Sequence, residues 1–113
     1  MFQGVAAEAE RYMTLLTARQ KLVASNIANA DTPGYQTQDI DFKSEFDSAM
    51  EGQSPSIVEP KGLTVKPDGN NVNLDREAQL LAENALRYSI ASNFARSELS
   101  SIRTAIQEGK TST

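Results

Sequence analysis

The sequence predicts a mainly α fold. Two long terminal helices pack as a coiled-coil-like pair, with an irregular middle segment carrying a short helix and a β-hairpin. Three observations predict it. Residues 74–106 keep an unbroken repeat of apolar and small residues in alternating steps of four and three. Residues 5–31 form a second amphipathic run without proline or glycine. All four prolines and most glycines fall between the two runs. The chain thus divides into an N-terminal helical segment (1–30), an irregular middle (31–72) and a C-terminal helix with its tail (73–113).

In the first run, steps of four and three from Val5 visit Ala9, Tyr12, Leu16, Arg19, Val23, Asn26 and Ala30, which share one helix face. Met13, Leu15, Leu22 and Ile27 widen the stripe. Arg19 is expected to lay its stem along the seam and send its charge to the edge. Pro33 disfavours helical geometry at Thr32. Pro33-Gly34 fits the centre of a type II turn, with glycine supplying the positive φ. Asn26 and Asn29 lie three apart, on one side of the last turns. Either their amides bond across to a neighbouring helix and set register, or they bond to their own helix end or to water.

In the middle, Asp41 to Met50 places Phe42, Phe46, Ala49 and Met50 on one face, with Asp41 as N-cap. Glu51-Gly52-Gln53-Ser54-Pro55 reads as a loop. Ser56–Glu59 and Leu63–Lys66 read as two strands of a hairpin around Pro60-Lys61-Gly62. Pro67-Asp68-Gly69-Asn70-Asn71 reads as a turn cluster. The apolar content is too low to offset the ordering entropy of an independent core. The segment is therefore expected either to be a mobile loop or to order only against partner subunits, with mobility the expectation for the isolated chain.

The second run is the strongest signal. Leu74, Ala78, Leu81, Ala85, Tyr88, Ser92, Ala95, Leu99, Ile102 and Ile106 follow an a/d heptad pattern. Leu86, Ile90 and Phe94 add apolar surface beside it. Asn73 is placed to cap the helix, with Asp75 and Glu77 in its first turn. Gly109 is expected to end it. The first helix is the expected partner of this stripe. It is shorter than the second and cannot cover the whole stripe, so the rest of the stripe and Leu86, Ile90 and Phe94 are left either for partner chains or for the middle segment to fold back over.

Composition excludes several classes. The chain has neither cysteine nor histidine, so it lacks a disulfide framework, a thiolate metal site and the residues of an ordinary catalytic triad. Its net charge is −4 and its lysines and arginines are scattered, which argues against nucleic acid. No apolar run reaches membrane-spanning length. Asp39, Asp41, Glu45 and Asp47 lack the calcium-loop spacing and read as a solvated acidic helix end. No catalytic, cofactor or metal residues are expected. The first residues lack a basic and then apolar leader pattern, so export through a common cleaved signal peptide is not expected.

Ala24-Ser25-Asn26-Ile27-Ala28-Asn29-Ala30-Asp31-Thr32-Pro33-Gly34-Tyr35 resembles the N-terminal signature shared by flagellar rod, hook and hook-associated proteins. Asp39-Ile40-Asp41-Phe42 and the stretch Asp68 to Glu77, followed by Ala82 to Tyr88, resemble the proximal-rod family of the FlgB type. Residues 43–67 match only loosely. The resemblance implies a structural subunit of the flagellar basal-body rod, exported by the flagellar type III apparatus to a periplasmic rod. It implies a tube of terminal helices around the export channel, transmitting torque. The implied partners are other copies and other rod subunits, and membrane-ring and export-gate components at the rod base. Neither nucleic acid nor direct membrane insertion is implied. The residues expected to meet neighbouring subunits are Leu16, Val23, Asn26, Ile27, Asn29, Leu81, Tyr88, Leu99, Ile102 and Ile106. A helical export chaperone or adaptor using the same pair is the alternative, and it would remain in the cytoplasm.

Overall fold

The structure, a computed structural model, describes residues 2–48 and 55–111. Its elements in order are α1 (Phe2–Ala28), β1 (Asp39–Ile40), α2 (Phe42–Ser48), β2 (Ile57–Val58) and α3 (Leu74–Thr111). The two long helices lie side by side and antiparallel, giving an elongated body of 73 × 26 × 17 Å. Ala49, Met50 and the 51–54 part of the expected loop lie outside the described residues, as does the end of the polar tail.

α1 begins before Val5 and runs through Gly4. It stops at Ala28 because its last turn tightens. The Asn29 N–H reaches both Ser25 O (3.0 Å) and Asn26 O (3.2 Å), and the Ala30 N–H reaches Ile27 O (3.2 Å). The Pro33-Gly34 turn forms as expected. Gly34 has φ +75°, and the Tyr35 N–H closes onto Thr32 O at 3.2 Å.

Asp41 caps α2, with its carbonyl accepting the Glu45 N–H at 2.9 Å. α2 lies against α1 through aromatic edges. Tyr12 meets Phe42 and Phe46 in T-shaped contacts at 5.4 and 5.7 Å. The expected hairpin has a different partner. β2 pairs antiparallel with β1, Asp39 opposite Val58 and Ile40 opposite Ile57, while residues 63–66 form no strand. Ile40 is buried and gives that pairing a core-facing side chain, whereas Val65 is well exposed.

α3 is capped by Asn73, whose Oδ1 accepts the Arg76 N–H at 3.1 Å. It does not end at Gly109. The helix continues to Thr111, and Gly109 keeps a negative φ, so the left-handed stop that glycine permits is not used.

The α1 face is the expected one: Ala9, Leu16, Val23, Asn26 and Ala30 are buried. The α3 face is not. The line turned toward α1 runs through Glu77, Asn84 and Ala91, all buried, while Leu74, Leu81, Tyr88, Leu99 and Ile106 of the apolar repeat remain well exposed. The reason is polar matching. α1 presents Gln20 and Asn26 in its seam. Asn26 Nδ2 donates to Glu77 Oε1 at 2.9 Å, and Asn84 Nδ2 donates to Gln20 Oε1 at 3.3 Å. An apolar line against those amides would bury them without partners, at about 1–3 kcal/mol each.

Candidate functional site

The C-terminus of α1, the chain after the Pro-Gly turn, the 66–72 turn and the N-terminus of α3 converge in one polar knot. Asn26 is its hub. Nδ2 donates to Gln38 O (2.8 Å) and Glu77 Oε1 (2.9 Å), while Oδ1 accepts from the Gln38 N–H (3.0 Å) and the Tyr35 hydroxyl (2.9 Å). The side-chain amide thus pairs with both backbone groups of Gln38, as a neighbouring strand would. All its hydrogen-bonding capacity is used, and it is buried.

That pairing sets where the next residue points. Asp39 receives Arg19 through two parallel bonds, Nε to Oδ1 at 2.9 Å and Nη2 to Oδ2 at 3.0 Å. Arg76 adds Nη2 to Oδ2 at 2.7 Å and reaches Glu77 Oε1 with Nη1 at 3.0 Å. Arg19 therefore does not send its charge to the edge of the seam. Its guanidinium lies on Asp39 and 5.9 Å above the Phe42 ring. Asp39, read in the sequence as part of a solvated acidic end, is buried instead.

The two carboxylates shift in opposite directions. Burial pushes Asp39 up, but Arg19, the Ile40 N–H and Arg76 outweigh it and hold the carboxyl below its ordinary 3.8. For Glu77 burial wins and raises it above 4.5, with nearby Asp39 adding to the rise and Arg76 and Asn26 opposing it. Glu77 Oε2 is buried with no hydrogen-bond partner among the described residues.

The second half of the knot closes the end of α1. Asn70 Nδ2 donates to Asn29 O and Thr32 O, both at 2.8 Å, and Lys66 Nζ donates to Ala30 O at 2.9 Å. These satisfy carbonyls the helix end leaves open. Asn71 Oδ1 accepts the Thr37 N–H, and its Nδ2 donates to Gln36 Oε1 at 2.9 Å. The Gly34 N–H reaches Asp68 O at 2.9 Å, with Gly69 packed on Gly34. The 66–72 cluster therefore forms a cap built on the signature turn.

The two asparagines separate here. Asn26 reaches the neighbouring helix of its own chain. Asn29 stays local, its Nδ2 donating to Ser25 O at 2.9 Å and its Oδ1 accepting from the Thr32 hydroxyl at 3.0 Å. Leu16 and Val23 lie with Asn26 in the interior of the chain. Ile27, Leu81, Tyr88, Leu99 and Ile106 are exposed, and Asn29 and Ile102 are half-buried. The knot's other members, Asp39, Asn70, Asn71, Arg76 and Glu77, are not among the residues the sequence assigns to contacts. Their visible traces are their places in the family-like stretches Asp39–Phe42 and Asp68–Glu77, and the polar residues at 77 and 84, a heptad apart beside an apolar stripe. Among the described residues no three acidic side chains converge as a metal site. Both arginines of the knot are tied to carboxylates, Arg19 to Asp39 and Arg76 to Asp39 and Glu77.

The family described as "Flagella basal body rod protein" matches residues 9–36, from the middle of α1 through the signature turn. Over about the same 86% of this chain, it is 34% identical to flagellar basal body rod protein FlgB of Salmonella typhimurium, covering 88% of that protein. It is 32% identical to FlgB of Escherichia coli, covering 88% of it. It is 31% identical to FlgB of Proteus mirabilis, covering 89% of it. With these identities spanning nearly the whole of each relative, and the signature residues forming the knot that joins its two long helices, the chain belongs to the FlgB family of flagellar basal body rod proteins.

Proposed function

We propose that this chain, a structural subunit of the flagellar basal body rod, assembles through its terminal helices into the proximal rod, surrounds the export channel and transmits torque. On this reading it is exported by the flagellar apparatus and meets other copies, other rod subunits and the ring and gate components at the rod base. The observation that carries the reading is the α3 apolar line. Leu81, Tyr88, Leu99 and Ile106 form a regular stripe that the chain's own fold leaves in water. A stripe of this regularity supports helix-to-helix contact with neighbours. Ile102, half-buried, lies on the same line, and Ile27 is an exposed apolar residue of α1. Repeating such contacts without closing a ring gives a filament.

Deletion of the chain tests the reading: rods and hooks are expected to disappear from purified basal bodies, and their persistence would falsify it. Leu99→Asp then probes the stripe. Leu99 is 54% exposed, so the subunit folds and is exported, but rods fail to form. Val23→Asp is a different experiment. Val23 is 1% exposed, and a charge there disrupts the subunit's own core before any neighbour is met.

A further inference from the structure

A groove runs between α2 and α3 over the outer half of α1. Tyr12, Phe46, Ile90 and Phe94 line it, and Glu8 and Arg87 lie on its α1 and α3 sides. Ile90 and Phe94 are 60% and 50% exposed, although their neighbour Ala91 is buried against α1. Nothing in the described part of the chain covers them.

The chain also carries a ridge of matching form. In the antiparallel register set by Asn26–Glu77 and Gln20–Asn84, Phe2 stands opposite about Ile102, so roughly the last two to three turns of α3 outrun α1. Leu99, Ile102 and Ile106 share one face of this end, and Leu99 and Ile106 are each 54% exposed. Arg103 flanks that face on one side and Glu98 on the other.

Resting on the rod-subunit reading, we infer that the C-terminal end of α3 in one copy docks into the α2–α3 groove of a second copy, Leu99, Ile102 and Ile106 against the aromatic lining. The charges select the orientation. Arg103 falls on the Glu8 side and Glu98 on the Arg87 side; the reversed orientation sets like charges together. Groove and ridge are different surfaces of one chain, so the contact is heterologous and propagates instead of closing a pair.

The absence of cysteine makes this directly testable. In its own chain Glu8 stands opposite a residue about two turns of α3 before Arg103, a separation beyond the reach of a disulfide, about 7 Å between Cα atoms. Any Glu8→Cys to Arg103→Cys bond is therefore between copies. Isolated basal bodies carrying the double variant, oxidised and run without reductant, are expected to give a ladder of covalent dimers and higher multimers. Each single variant is expected to stay monomeric. Rods that contain the double variant but give no ladder overturn the docking while leaving the rod-subunit reading intact. Dimers from either single variant overturn it in favour of a symmetric contact. Absence of the parent chain from isolated rods refutes the rod-subunit reading itself. Should the cysteines block assembly, charge exchange decides. Glu8→Arg and Arg103→Glu each reduce swimming, and the combination restores it; no restoration overturns the docking.

Discussion

Removing the Asn26 side chain tests the knot most sharply. Asn26→Ala deletes four hydrogen bonds of 2.8–3.0 Å at a buried position. Three have neutral partners, worth about 1 kcal/mol each net, and the bond to Glu77 involves a carboxylate, worth about 1.5–3 kcal/mol. Gln38 and Tyr35 are only half-buried, so water entering the vacated space recovers part of their loss. Glu77 is fully buried and keeps only Arg76. The expected cost is about 3–5 kcal/mol, a large share of the roughly 5–15 kcal/mol available to a domain this size. Asn26→Asp costs at least as much: it keeps the acceptor for Gln38 N–H and Tyr35 but sets a carboxylate against Gln38 O and Glu77 Oε1. Asn29→Ala is the internal control. It loses two local bonds at a half-buried site and is expected to cost no more than about 1 kcal/mol. Urea unfolding followed by circular dichroism measures all three. Asn26→Ala within about 1 kcal/mol of the parent, or no worse than Asn29→Ala, refutes the reasoning.

Two further outcomes follow from the same geometry. The raised Glu77 carboxyl binds its proton more tightly in the folded state. It favours folding fully below its ordinary 4.5, and that contribution fades as pH rises through the folded value. Asp39 acts oppositely: its contribution is present above 3.8 and lost as pH falls through its lowered value. Glu77→Gln is expected to flatten the decline in urea midpoint above about pH 4.5, and an unchanged slope rules the assignment out. Gly69→Ala must hold φ near +87° and bring its Cβ within 3.3 Å of Gly34 Cα. It is expected to lose about 1–2 kcal/mol, whereas Gly4→Ala, in open helical surroundings, gains about 0.5–1 kcal/mol. A thermal melt of each settles the comparison.

Much of the fold is legible in the chain because it is local. Proline at position 33 disfavours continuation of the helix that precedes it, glycine at 34 accepts the turn's positive φ, and Asn73 and Asp41 cap helices within their own first turns. The periodicity of residues 5–30 marks the buried face of α1 correctly because hydrophobic burial follows helical geometry on that side. The same periodicity on residues 74–106 marks an apolar face but not what covers it. Sequence spacing orders a stripe; it does not name the helix that covers it.

That choice belongs to the tertiary structure. α1 takes the polar line of Glu77 and Asn84 because its buried Asn26 and half-buried Gln20 find partners there, and a buried amide left unpaired costs about 1–3 kcal/mol. The apolar stripe is thereby left in water. The pairing of β1 with β2, the passage of Arg19 to Asp39, and the capping of α1 by Asn70 and Lys66 likewise join residues about twenty to forty positions apart, beyond any local rule. By itself the sequence determined the two long helices, the N-terminal caps at Asp41 and Asn73, and the signature turn. Only the tertiary structure decided which side of each helix is buried within the subunit and which remains exposed, because buried polar groups must be satisfied together while apolar ones need only be covered.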